Sequence, residues 1–161
     1  MKSKAILTMD EQWRIVRQIC TPFGINYEKL KDDAYRGDGV AITEKNLILI
    51  SERQRTEDQI ISLVLHEVMH CLAAKTKKYN VFHNGPFGGE WKVQDLLIYR
   101  KTALFAELYV DIQAEKAAKK LFPHIRYNRY YRTKRDKAFL RRYTSKFVKE
   151  VKEALDAEDM A

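Results

Sequence analysis

Cysteine is nearly absent from this 161-residue chain, with Cys20 and Cys71 the only two. That excludes a disulfide-stapled scaffold. Long apolar runs are missing too. No stretch approaches the roughly 20 residues that cross a bilayer. The opening Met1-Lys2-Ser3-Lys4-Ala5-Ile6-Leu7 carries too much charge and too short an apolar run for a secretory signal. The expectation is a cytoplasmic protein with no membrane partner. Internal repeats and low-complexity linkers are also lacking, so a chain of this length with 45% hydrophobic residues reads as one folded domain. Histidine is scarce, with four copies. Acidic residues almost vanish from one segment: over residues 124–149 Asp136 stands alone against ten lysines and arginines, a large share of the net charge of +8.

Two of the four histidines fall in one pentapeptide, His66-Glu67-Val68-Met69-His70. Four apart on a helix, their side chains leave one face, one turn apart. That spacing lets both imidazoles reach one zinc ion while Glu67 stands beside the metal, placed to take a proton from water. The pattern matches the H-E-x-x-H signature of zinc-dependent peptidases. Thr56 and Gln59 form a capping box ahead of it, and Glu57 and Asp58 suit the positive end of the helix dipole. Ile60, Ile61, Val64, Leu65, Val68, Met69 and Leu72 then give a broad apolar surface. A mostly buried helix is therefore expected over residues 57–74. Buried imidazoles and carboxylates need partners. Metal coordination supplies them, the plainer alternative being a core helix whose histidines bond to neighbouring backbone. Cys71 points about 100° away from His70 and reads as a small buried residue.

A second capping box, Thr8 with Glu11, opens a helix of about a dozen residues. Trp13, Val16, Ile19 and Cys20 form its apolar stripe, and Thr21-Pro22-Phe23-Gly24 ends it. Residues 25–37 are polar, with 27–31 read as a short turn. Residues 40–43 and 47–51 read as the strands of a β-hairpin around Glu44-Lys45-Asn46. A loop over 76–90, a short helix over 91–99 and a longer helix over 101–122 follow. Leu104, Leu108, Ile112 and Leu121 mark the apolar face of that longer helix. A last helix is expected over 135–155. This order predicts an α+β fold: a helix-rich single domain with a small antiparallel sheet packed by the metal-binding helix. Residues 1–123 form the expected core. Residues 124–161 form a basic, Tyr-rich segment and C-terminal helix packed on the same domain.

A catalytic zinc needs three protein ligands and an open position. Three residues compete for the third place. Glu107 and Asp111 share one face of the 101–122 helix, so one carboxylate can bind the metal while the other accepts the second ring N–H of a motif histidine. His83, in Phe82-His83-Asn84-Gly85-Pro86, is the other candidate. Glu115 extends the acidic stripe by one more turn and reads as solvated. H-E-x-x-H followed by E-x-x-x-D resembles the gluzincin peptidases. The strand pair before the motif helix and the Ala-rich helix ending Leu121-Phe122-Pro123 are similar to the small ImmA/IrrE zinc peptidases of phages and bacteria, across residues 39–123. This resemblance implies Glu107 as third ligand and Asp111 in support. It also implies an extended substrate pairing with the strand at 47–51. A weaker resemblance, to SprT-like proteases, would give the third place to His83, although Asn84 interrupts that motif.

The expected chemistry is hydrolysis of a peptide bond in a protein or peptide substrate, with Zn2+ as cofactor and Glu67 as general base. Tyr79, His83, Tyr99 and Tyr109 are candidate oxyanion donors. The segment Arg126-Tyr127-Asn128-Arg129-Tyr130-Tyr131-Arg132, extended by Arg135, interleaves cations with aromatics. A nucleic acid is therefore a second possible partner, through Arg126, Arg129, Arg132 and Arg135, the alternative being a solvated face with its tyrosines packed inward. On that second view the protein binds nucleic acid and its zinc is structural or regulatory.

Overall fold

Capping boxes open the first two helices. Thr8 Oγ1 accepts the Glu11 amide at 3.1 Å and the Glu11 carboxylate reaches back to Thr8, which starts α1 (Met9–Phe23). Thr56 and Gln59 make the same reciprocal pair and start α2 (Glu57–Ala74). Each box satisfies amides that a first helical turn leaves without partners. α1 runs one residue past Pro22 and stops at Gly24, whose φ of 66° lies in the left-handed region that L side chains resist. The computed structural model that shows this describes residues 4–31, 38–75 and 93–129. The expected loop over 76–90 with Tyr79 and His83, Arg132, and the expected C-terminal helix with Arg135 lie outside those residues.

Residues 26–29 are a strand, β1 (Asn26–Lys29), rather than a turn. Its side chains are mostly exposed, so no apolar alternation advertises it. Pairing with a later strand holds it instead. β2 (Gly39–Ile42) and β3 (Leu47–Ile50) are the expected hairpin, joined by a 3-10 turn at Thr43–Lys45 and by Asn46 in the left-handed conformation. β1 pairs parallel to β3 and β2 antiparallel to it. The sheet order β1-β3-β2 makes the sheet mixed, not purely antiparallel, and puts β3 at its centre. Ile48 and Ile50 point from β3 into the core.

The link from β3 to α2 is held by a buried arginine. Arg55 Nη1 donates to the Ser51 carbonyl at 2.6 Å, Nη2 donates to Ser51 Oγ at 2.8 Å, and the guanidinium pairs with Asp38. From α1, Gln12 donates to the Arg53 carbonyl at 2.9 Å. These bonds set where α2 begins relative to the sheet. α2 is the axis of the core: Ile60, Ile61, Val64, Leu65, Val68 and Cys71 are all fully buried. A helix that is apolar nearly all round must be surrounded, and α1, the sheet and α3 (Val93–Leu121) pack against it.

α3 is one continuous helix across both stretches read as separate helices. Among its described side chains, the packed face is made of small residues. Leu121 is 49% exposed, whereas Ala106, Val110, Ala114 and Ala118 are at most 5% exposed. These four recur at steps of four and form one ridge of small side chains. How closely two helices approach depends on the side chains at their contact, so this ridge lets α3 lie close against α2. Glu107, Asp111 and Glu115, each one position further along, line the margin of the same ridge. No helix among the described residues is long and apolar enough to cross a membrane, and the architecture is α+β with helices dominating.

Replacing Ala114 by leucine should wedge the helices apart and cost about 1–3 kcal/mol in urea unfolding. Leu121→Ala, on the exposed side, should stay within about 0.5 kcal/mol; the reverse ranking would mean that the packed face has been misassigned. Burial pushes the Cys20 thiol up to about 12 and the Cys71 thiol up to about 11. Both should therefore resist a thiol reagent in the folded protein and react together on unfolding; rapid modification of either one in native buffer would contradict the core described here.

Candidate metal centre

α2 carries His66 and His70 one turn apart on a single face, both under 9% exposed. α3 brings Glu107 across from them. Glu107 Oε2 lies 2.8 Å from His66 Nε2, Glu107 Oε1 lies 3.1 Å from His70 Nε2, and the two Nε2 atoms are 3.2 Å apart. One ligand atom from each of the three residues falls within 4.8 Å of the others. Zinc–nitrogen bonds of about 2.0–2.1 Å at tetrahedral angles put neighbouring ligand atoms about 3.3 Å apart. The observed edges are close to that value. Two imidazoles and one carboxylate are also the donor set that suits zinc. The residues present therefore fit the ion.

Behind His66 stands Asp111, 1% exposed. Its Oδ1 lies 3.4 Å from His66 Nδ1 and accepts the Tyr127 hydroxyl at 2.6 Å. Donation from Nδ1 to Asp111 leaves the Nε2 lone pair of His66 facing the Glu107 carboxylate and His70 Nε2. Such electron-rich atoms cannot be buried together without a positive centre among them. In the metal-free protein a proton serves. Burial opposes charge on His66, but hydrogen bonds to Asp111 and Glu107 outweigh it and push the imidazole up to about 9. Burial also opposes charge on Glu107, and hydrogen bonds from His66 and His70 overcome it, holding that carboxyl well below the usual carboxylate range.

Glu67 sits in the same enclosure, 8% exposed. Burial raises its carboxyl, and the charges of His70 and His66 partly offset this. A carboxylate with a raised pKa is a stronger base.

The structure thus brings together His66, Glu67, His70, Glu107 and Asp111. Glu107, not Asp111, faces both histidines through their Nε2 atoms, and Asp111 takes the supporting position. Tyr109 is half-buried. Two expectations change. Glu115 is buried, not solvated: Arg129 Nε and Nη2 donate to its Oε1 at 3.0 and 2.6 Å. Arg129 is accordingly engaged within the protein, while Arg126 is exposed. The strand at 47–51 is central, so it has no free edge to offer an extended substrate; β1 and β2 are the outer strands. Sequence reasoning missed Tyr127 as a site residue. Its place among cations allowed either an outward surface or tyrosines packed inward, and nothing local tied it to the metal site. Against protein-family models, curated proteins and solved structures, the chain finds no match.

The linkage signs differ for the two ends of this cluster. His66 has a folded pKa of about 9, above its ordinary 6.5. Its contribution to metal-free stability is full below about pH 6.5 and fades as pH rises through about 9. Glu107 is lowered from 4.5, so its contribution holds above that value and fades in acid. Metal-free stability should consequently fall between about pH 6.5 and 9, and zinc affinity should rise across the same interval because His66 must lose its proton to bind. Chemical denaturation and chelator competition across this range check both slopes; a flat profile in His66→Gln should replace them.

Proposed function

We propose that the chain is a zinc-dependent metallopeptidase of the gluzincin type, similar to the small ImmA/IrrE enzymes, that hydrolyses a peptide bond in a protein substrate. The observation that carries this reading is the convergence of His66, His70 and Glu107 within 4.8 Å, with a buried Glu67 beside them. A structural zinc has no use for an uncommitted basic carboxylate next to its ligands, whereas hydrolysis needs one.

On this reading His66, His70 and Glu107 hold the ion and Asp111 fixes the ring of His66 through Nδ1. When bound, zinc supplies Lewis acidity that acidifies water and polarises an amide carbonyl. Glu67 removes the proton from the attacking water and later delivers it to the leaving amine. Its raised pKa, set by burial, brings it nearer to what a base working at neutral pH requires.

Substrate orientation is assigned to β2. α2, which carries Glu67, packs against this outer strand, and among the described residues β3 is the only strand paired with it. An extended peptide adding to β2 would pass beside Glu67, its main chain supplying affinity and alternate side chains specificity.

Glu67→Gln should keep stoichiometric zinc and lose at least about a hundredfold in cleavage, read by mass spectrometry on a peptide library digested with the wild-type protein. A variant that cleaves as well as wild type, or a wild-type protein that takes up no divalent metal, would overturn the assignment.

A further inference from the structure

After α3 the chain turns back along the seam between α2 and α3. Three bonds tack it down. His124 Nε2 lies 2.8 Å from Glu57 Oε1 at the start of α2. The Asn128 amide donates to Ser62 Oγ at 2.9 Å, on a serine that is fully buried. Arg129 grips Glu115 of α3 through two nitrogens. Between these tacks Tyr127 points inward, 8% exposed and packed with the main core cluster.

We infer that Tyr127 is a positioning residue for the metal centre, acting through Asp111 on His66. The inference rests on the metal-binding reading above and adds a member to it. The tyrosine hydroxyl donates to Asp111 Oδ1 at 2.6 Å, and that same oxygen faces His66 Nδ1 at 3.4 Å. Hydroxyl bonds to an ionised carboxylate are short and strong, and this one is the shorter of the two contacts by a wide margin. Asp111 Oδ2 is buried and has no hydrogen-bond partner among the described residues. Tyr127 is thus the firmest hold on the plane of the Asp111 carboxylate, whose terminal torsion is intrinsically broad. Without the hydroxyl, Asp111 is left with only the long contact to the ring it is meant to orient.

The tacks matter because they are independent of the ion. Ser62 and Glu57 belong to α2, Glu115 to α3, and none of them is a ligand. They place the Tyr127 hydroxyl before any metal arrives, so the His66 ring is oriented in advance, which is how outer-shell groups raise metal affinity. A tyrosine serving only as core filling would have no need of its oxygen at this position.

The test compares zinc affinity, by competition with a chromophoric chelator, in the full-length wild type, Tyr127→Phe, Asp111→Ala, the double variant and Ser62→Ala, with circular dichroism confirming the fold of each. Tyr127→Phe keeps the ring and should bind zinc about tenfold more weakly. In the Asp111→Ala background the same change should cost nothing more, because the route runs through Asp111. Ser62→Ala removes one of the tacks but leaves the Tyr127 hydroxyl on Asp111, and should weaken zinc binding by less than Tyr127→Phe does. Wild-type affinity in Tyr127→Phe, an additive loss in the double variant, an equal loss in Ser62→Ala, or a Tyr127→Phe that fails to fold would each overturn the inference while leaving the metal centre standing. A wild type that binds no zinc would remove the metal centre itself, and the inference with it.

Discussion

Close contact between α2 and α3 is the constraint on which the rest of the structure depends. Histidine and carboxylate side chains are short, so a carboxylate on one helix reaches an imidazole on another only if the two axes lie near each other. The ridge of Ala106, Val110, Ala114 and Ala118 permits this. Bulkier residues there would hold the helices apart. With the ridge in place, the next position along carries Glu107 to the Nε2 atoms of both histidines, and one turn later Asp111 meets the far side of His66. One packing decision therefore creates both the ligand set and its support.

The same contact concentrates an unusual number of ionisable groups in a dry place. His66, Glu67, His70, Asp111 and Glu115 are all under 9% exposed. Buried charges are tolerated only when they are paired. Arg129 answers Glu115, Tyr127 answers Asp111, and the charges of His70 and His66 answer Glu67. The His66–His70–Glu107 group is answered in the metal-free chain by a proton, and in the proposed enzyme by zinc. A purely structural core would be better served by apolar residues at these positions, since well-packed hydrophobic replacements of buried ion pairs are often as stable or more so. The persistence of so much polarity on one seam is what makes a chemical role the better account of it.

The segment after α3 changes meaning once it is seen folded. As a string of cations and tyrosines it read either as a surface for phosphates and bases or as a solvated face with its tyrosines packed inward. Over residues 124–129 it is instead part of the scaffold, with a tyrosine in the core and an arginine spent on an internal acid. Residues 124–129 thus pack on the same domain as the helices before them and supply groups that its core uses.

Much of the protein was legible from residue order alone. Both capping boxes, the limits of α2, the hairpin and the candidate ligands His66 and His70 came from patterns that act within a turn or two: an N-cap bonding three residues on, imidazoles four apart, alternating apolar residues around a tight turn. Such patterns are local, and local energetics enforces them whatever the rest of the chain does. Tertiary structure alone decided that 26–29 is a strand, that β3 is central, that small side chains line the packed face of α3, and that the Tyr127 hydroxyl meets Asp111. Each of these rests on a partner tens of residues away, and the residues involved carry no periodic signal of their own. Exposed strand residues, small side chains and a tyrosine among cations acquire their roles only from what the fold sets opposite them.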